Sequence, residues 1–326
     1  MKRTAAVVTI ILFVIFFVSC SVDSLESYNK AVQKTEDIKT GQTSGNFTVV
    51  MDFNTEGMTE EQIKELNYFK TVEGSFNAAY DESQKAAIIR NYLNLGGLGF
   101  DYDIYMNEDK MFMKLPIVGK YLQLDESYKN GEATVLISED TKASIGEKWM
   151  GLLNKEDIFR EKDIILTTPD GEVKTTQYTI ALKDEQIKSL AFDGMEILLK
   201  DEKFKESYEN LLKKNIKYFE GYSLDKLTEA FEETLKNCKV EAFAYNAYVD
   251  IDGYIVNETI EISVAMQDSS PSGINRFDYK MEIKNWDINK AQNLEFPILS
   301  EENTLKLENI EKNMPSIFEG IFNEGD

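Results

Sequence analysis

"TVEGSFNAAYDESQKAAIIRNYLNLGGLGFDYDIYMNEDKMFMKLP", residues 71–116, contains four runs in which apolar and polar residues alternate. Alternation with a period of two predicts β-strands that are half-buried. The runs are separated only by short groups of turn-forming residues, "DES", "GG" and "NED". A parallel connection needs a crossover of about a dozen residues, so strands joined this closely must be antiparallel. The stretch therefore predicts a β-meander, and "KYLQLD", residues 120–125, extends it.

Helical and strand patterns flank this meander on both sides. Asp23 and Glu26 have capping-box spacing and predict a helix that ends near Gly41 and Gly45, before a strand "NFTVVMDF". Residues 184–238 predict two or three helices, and strands return between residue 240 and about residue 288. No Pro-, Ser- or Gly-rich linker divides the chain, so residues 20–326 are predicted to form a single α+β domain after a short tether, residues 20–23.

The N-terminus has the pattern of an export signal. Lys2 and Arg3 precede an uncharged run from residue 4 to residue 18, which is shorter than the roughly 20 residues of a membrane-spanning helix. The run resembles a bacterial lipoprotein signal, with Phe17 in place of the usual leucine and Ser19 directly before Cys20. That resemblance implies a signal peptide over residues 1–19, removed so that Cys20 carries the lipid. An uncleaved membrane anchor is the alternative, but the polar, slightly acidic residues that follow do not favour it.

The composition excludes several classes of function. The net charge of −22 repels nucleic acid phosphates, so we expect no nucleic acid partner and assign membrane attachment to the lipid. The chain has no histidine, which removes the usual catalytic triads and nearly all ordinary zinc sites. Cys238 has no partner if Cys20 is acylated, and it is predicted to be a small buried hydrophobic residue. We therefore expect no cofactor, no metal and no enzymatic activity.

Local motifs add no catalytic or metal-binding chemistry. Asp250, Asp252 and Gly253 suggest calcium at first sight, but the further oxygen ligands of an EF-hand loop are missing, so a hairpin turn is the better interpretation. With 58 acidic residues some pair will always look like a catalytic dyad, and none stands out. Gly96, Gly97 and Gly99 join two strands and do not open a helix, so they predict a turn.

The stretch "YMNEDKMFMKLPIVGKYLQLD", residues 105–125, together with the order of predicted elements, resembles the LolA-like superfamily of half-barrels, which includes lipid-binding lipoproteins of the LppX and LprG kind. The resemblance implies a strongly curved antiparallel sheet, an N-terminal helix, and helices inserted between two strand meanders that cover the concave side. It implies no catalytic residues. It also indicates a Gram-positive type of lipoprotein.

A curved sheet with one apolar face can enclose an apolar pocket if the helices cover it incompletely. The alternative is a packed core, because apolar residues at period two are what any half-buried sheet needs, and the sequence leaves both open. The residues predicted to line the pocket or core are Phe47, Val49, Met51, Phe76, Ala78, Tyr80, Phe100, Tyr102, Ile104, Met106, Tyr178, Ile180 and Ile262.

Two functions follow from these alternatives. The first is a lipoprotein on the outer face of the cytoplasmic membrane, anchored through acylated Cys20, that binds a lipid or acyl chain without catalysis. The second is an envelope interaction or stress-related lipoprotein with a filled core that acts through a surface contact. The sequence names no protein partner for either.

Overall fold

The computed structural model describes residues 23–108, 110–115, 119–124, 136–214, 221, 223–266 and 273–306. Twelve strands form one open, curved sheet in the order β12-β6-β5-β4-β3-β2-β1-β11-β10-β9-β8-β7. The strands are β1 (Thr40–Phe53), β2 (Thr71–Asp81), β3 (Ala86–Leu95), β4 (Leu98–Asn107), β5 (Lys110–Leu115), β6 (Lys120–Leu124), β7 (Ile158–Thr168), β8 (Gly171–Ile180), β9 (Cys238–Asp250), β10 (Ile255–Met266), β11 (Ile274–Trp286) and β12 (Thr304–Lys306).

In the part of the chain that the structure describes, six α-helices accompany the sheet: α1 (Ser24–Glu36), α2 (Glu60–Asn67), α3 (Glu139–Leu152), α4 (Asp184–Leu198), α5 (Glu202–Lys214) and α6 (Leu224–Asn237). Neighbouring strands are antiparallel except for the short parallel pair β12–β6. The fold is therefore the predicted α+β half-barrel, with an N-terminal helix and helices inserted between strand meanders. The insertion between β6 and β9 also contains helix α3 and the hairpin β7–β8.

Helix α1 begins where the sequence predicts but ends earlier. The carboxylate of Asp23 caps it by accepting a hydrogen bond from the amide of Leu25 (3.1 Å). The last helical residue is Glu36, and the residues predicted to end the helix, Gly41 and Gly45, lie inside strand β1. The prediction that these two glycines end the helix was wrong, because both pair with a neighbouring strand, Gly41 with Tyr80 and Gly45 with Phe76.

The main hydrophobic core lies on one face of the sheet, under helices α1, α3 and α4. Tyr28 and Ala31 of α1 pack in one cluster with Ile180 of β8 and Ala247 of β9, and all four are at most 3% exposed. We call the sheet face that bears this core the helix face. The principal helix–sheet contacts are made with β7, β9 and β10, so the helical layer lies mainly over that half of the sheet.

An extended segment, residues 287–303, crosses the opposite face of the sheet. It leaves β11, where the Asn289 amide donates to the Thr40 carbonyl oxygen (2.8 Å), and reaches the far edge, where the Tyr121 amide donates to the carbonyl of Asn303 (2.8 Å). This segment, the strap, connects the central strand β11 to β12 beside β6. We call the face that it crosses the strap face.

Candidate functional site: the helix face of the half-barrel

Sheet register places all thirteen predicted pocket or core residues on the helix face. Residues that are paired across neighbouring strands lie on the same face of the sheet. Phe47 of β1 pairs with Met281 of β11, which in turn pairs with Ile260 of β10. In the other direction, Gly45 of β1 pairs with Phe76 of β2, and the row continues through Asn91 of β3 to Tyr102 of β4, all on the same face. The residues that share this face are Phe47, Val49, Met51, Phe76, Ala78, Tyr80, Phe100, Tyr102, Ile104, Met106, Tyr178, Ile180 and Ile262.

The helix face divides into a packed half and a more open half. Tyr178 is 5% exposed and Ile180 is fully buried, and both belong to the core under α1. The other predicted residues on β1, β2, β4 and β10 are only half-buried. Whether they line a ligand pocket stays a prediction, but the structure separates them from the packed core, which the sequence could not do.

Two glycines and two aromatic rings shape the middle of the open half. Phe76 of β2 lies over Gly45 of β1, and Phe47 of β1 lies over Gly74 of β2. A Cβ atom added at Gly45 would lie 2.3 Å from the Phe76 ring, and one at Gly74 would lie 2.2 Å from the Phe47 ring. Glycine inside a strand permits close approach and bending of the sheet. The two glycines therefore provide the room in which the Phe76 and Phe47 rings lie against the backbone of the neighbouring strand.

Strand β11 adds a set of helix-face residues that the sequence analysis overlooked. The rings of Phe277 and Tyr279 are stacked, with centroids 6.4 Å apart and planes 7° from parallel. Methionines are concentrated on this face, and their flexible, polarizable side chains adapt to irregular apolar partners. Six of the 11 in the chain lie there: Met51, Met106, Met111, Met113, Met266 and Met281. The alternation in "INRFDYKMEIKNW" is the signal that could have found the β11 residues.

One acidic side chain interrupts this apolar surface. Register places Glu258 of β10 on the helix face, in a row with Ile283 of β11 and Gly45 of β1. The hydroxyl of Tyr245 donates a hydrogen bond to Oε1 of Glu258. Burial raises the pKa of the Glu258 carboxyl, and the hydrogen bond from Tyr245 opposes that rise in part. Sequence reasoning missed Glu258, although it is in phase with the apolar residues of its strand.

The strap face also contains a cavity, of about 960 Å³, between the strap and strands β1–β4. Its lining is predominantly polar and includes Arg90, Asp101, Asp103 and Glu295. The larger apolar groups in it are Phe76, Ile88, Tyr92 and Leu294. A carboxylate-rich lining is costly to desolvate against an acyl chain. Of the thirteen residues predicted to line an apolar pocket or core, Phe76 and Ala78 border this cavity.

The two cysteines differ in what the structure says of them. Cys20 and the residues of the predicted signal lie outside the described residues. Cys238 is a free, buried thiol at the start of β9, 4% exposed, and burial raises its pKa. This agrees with its prediction as a small buried hydrophobic residue. Among the helices that the structure describes, none is long and apolar enough to cross a membrane.

These features define an open α+β half-barrel with one apolar face. No protein-family profile matches the chain, and no curated protein matches it. The lipoprotein LppX of Mycobacterium tuberculosis is similar in structure, with 9% identity and a TM-score of 0.30 over 83% of this chain and 98% of that one.

Two further solved structures are similar at the same level. A LolA superfamily protein of Nitrosomonas europaea has 7% identity and a TM-score of 0.23 over 86% of this chain and 99% of its own. A β-barrel-like protein with a domain of unknown function from Brucella abortus has 9% identity and a TM-score of 0.21, covering 77% and 100%. LppX and the LolA superfamily are also the proteins named in the resemblance that the sequence shows over residues 105–125. The similarity is limited to the general fold.

Proposed function

We propose that this protein is a non-enzymatic, membrane-anchored lipoprotein that holds the acyl chain of a lipid against the helix face of its half-barrel. The observation that carries the proposal is the open half of that face. Strands β1–β4 and β11 present aromatic, aliphatic and methionine side chains that are half-buried, beside a core that is fully packed. A concave apolar surface with few polar groups is the usual form of a site for an apolar ligand.

The size of this surface suits an acyl chain. Strands rise about 3.3 Å per residue and lie about 4.8 Å apart, so five neighbouring strands span roughly 20 Å across the sheet. An extended chain of about 16 carbons has about that length, shorter chains also fit, and each methylene buried is worth about 0.8 kcal/mol. The methionines would adapt to chains of different length and saturation. The function therefore requires no reacting group, and Cys20 would supply the membrane attachment on the outer face of the cytoplasmic membrane.

Mass spectrometry of organic extracts tests the carrier function. The processed chain, residues 20–326 with Cys20→Ser, would be purified without detergent and extracted with solvent. We expect an acyl lipid at a stoichiometry near one per protein. An extract without lipid, together with no binding of added acyl lipids, would leave the filled-core interaction protein as the better account.

Metabolic labelling tests the anchor separately. The full-length chain expressed in a Gram-positive host should incorporate a labelled fatty acid at Cys20. The Cys20→Ser variant should not, and its continued labelling would contradict the assignment.

A further inference from the structure

Glu258 is exceptional on the helix face. Among the described residues of β1–β5 and β9–β11, it is the one charged side chain that register places there. Its strand-mates on the same face, Ile260, Ile262 and Val264, are aliphatic. A carboxylate among apolar side chains loses solvation, so its presence costs stability unless it has a partner. Packing alone does not explain this residue.

The partner that the fold provides satisfies only part of the carboxyl group. Tyr245 donates to Oε1, and the Tyr245 ring packs edge-on against Tyr28 of α1, with centroids 6.1 Å apart. The indole nitrogen of Trp149 in turn donates to the Tyr28 hydroxyl (3.3 Å). These rings fix the Tyr245 hydroxyl, and with it the orientation of Glu258. No described residue donates a hydrogen bond to Oε2 of Glu258.

The position of Glu258 lies between the two halves of the helix face. In its row, Tyr178 and Ala247 on one side belong to the packed core, while Ile283, Gly45 and Phe76 on the other lead into the open half. An acyl chain lying over Gly45 and Phe76 would therefore end against a fixed carboxyl oxygen that still accepts a hydrogen bond. A donor at the end of that chain would satisfy it.

We infer that Glu258 is the head-group anchor of the lipid site and selects an amphiphile whose head donates a hydrogen bond, a hydroxyl or an amine, over one that ends in a carboxylate. This inference rests on the proposed function and adds the class of ligand. A donor head completes the hydrogen bonding of Oε2, whereas a carboxylate head brings a second negative charge into an apolar site. Tyr245 is a positioning residue in this arrangement, since it holds Glu258 through its hydrogen bond to Oε1.

Three probes with the same 12-carbon chain test the selectivity: monolauroylglycerol, dodecylamine and laurate. Their dissociation constants for the processed chain, residues 20–326 with Cys20→Ser, would be measured at pH 7.5 by displacement of a fluorescent acyl probe. We expect laurate to bind at least tenfold more weakly than monolauroylglycerol. In Glu258→Gln the repulsion between the side chain at position 258 and the carboxylate of laurate disappears. The ratio of the two dissociation constants should therefore fall to about two. A larger loss of affinity for dodecylamine than for monolauroylglycerol in that variant would identify an amine as the preferred donor.

The matched control is Glu261→Gln on the same strand. Glu261 points to the strap face and forms an ion pair with Lys280 (2.6 Å), so its removal changes the charge without touching the site. The control should keep the selectivity of the parent. Equal binding of laurate and monolauroylglycerol by the parent, or a ratio that Glu258→Gln leaves unchanged, overturns the inference while acyl binding stands. If none of the three probes binds, both the inference and the proposed function fail.

Discussion

Removal of the Asp201 carboxylate should loosen the helical layer that covers half of the helix face. Asp201 is 7% exposed and lies directly before helix α5. Its oxygens accept from the amides of Lys203 (2.9 Å) and Phe204 (3.2 Å) at the start of α5, and from the amide of Ser138 (2.8 Å), the residue that caps α3. One side chain thus holds the N-termini of two helices together.

The magnitude follows from these contacts. Loss of an N-terminal cap costs about 1 to 2 kcal/mol, so Asp201→Ala, which affects two helix starts, should lower the free energy of unfolding by about 2 to 4 kcal/mol. Asp201→Asn retains one acceptor oxygen and should cost about half as much. The control is Asp140→Asn in the first turn of α3, an exposed carboxyl whose change should stay within about 0.5 kcal/mol.

The pH dependence gives this prediction a second, independent readout. The amide donors hold the pKa of Asp201 well below its ordinary value of 3.8, despite opposing desolvation. A carboxyl with a lowered folded-state pKa contributes stability that is complete above the unfolded-state value and is lost as pH falls towards the folded-state value. The difference between the parent and Asp201→Asn should therefore be full at pH 7 and shrink below about pH 4. Urea unfolding followed by tryptophan fluorescence measures it. A cost for Asp201→Ala below 0.5 kcal/mol, or a difference between the parent and Asp201→Asn that is as large at pH 3 as at pH 7, would refute the reasoning.

Two further substitutions test the packing of the helix face. Ile180→Ala at a fully buried core position should cost about 3 kcal/mol in urea unfolding, whereas Ile165→Ala, at a side chain 65% exposed, should cost almost nothing; similar losses would contradict the location of the core. Gly74→Ala places a Cβ atom 2.2 Å from the Phe47 ring and should lower stability by more than 1 kcal/mol. Gly146→Ala in helix α3, with open space around it, should raise stability by up to about 1 kcal/mol. If Gly74→Ala were the more stable of the two variants, the Phe47 ring would move aside at little cost.

The meander was predictable because its information is local. Alternation and turn residues are both visible within residues 71–124, and the structure has strands β2–β6 there. Helix α3 was missed because "EDTKASIGEKWMGL" contains two glycines and little separation of apolar from polar residues. The strand character of Gly45 was equally hidden, since it depends on backbone pairing with β2 and with β11, which is distant in sequence.

The sequence predicts which residues share the helix face, but not which of them are packed in the core. Period two placed thirteen residues on one face, yet only tertiary packing shows that Tyr178 and Ile180 lie in the core while Phe47 and Val49 do not. The strap could not be predicted, because the partner of β12 is β6, about 180 residues earlier. Glu258 could have been predicted, since in "IVNETIEISVAM" it lies on the same alternating face as Ile260 and Ile262.

The most direct test of acyl binding compares two adjacent valines of β1. Val49 lies half-buried on the helix face, and Val50 lies on the strap face with 42% of its side chain exposed. Val49→Glu places a charge where the acyl chain would lie, and Val50→Glu adds the same charge to the other side of the same strand. Binding of monolauroylglycerol to the processed chain should weaken at least tenfold in Val49→Glu and stay within twofold in Val50→Glu, with both variants folded by circular dichroism. Equal affinities for the two folded variants, or a loss only in Val50→Glu, would contradict a lipid site on the helix face.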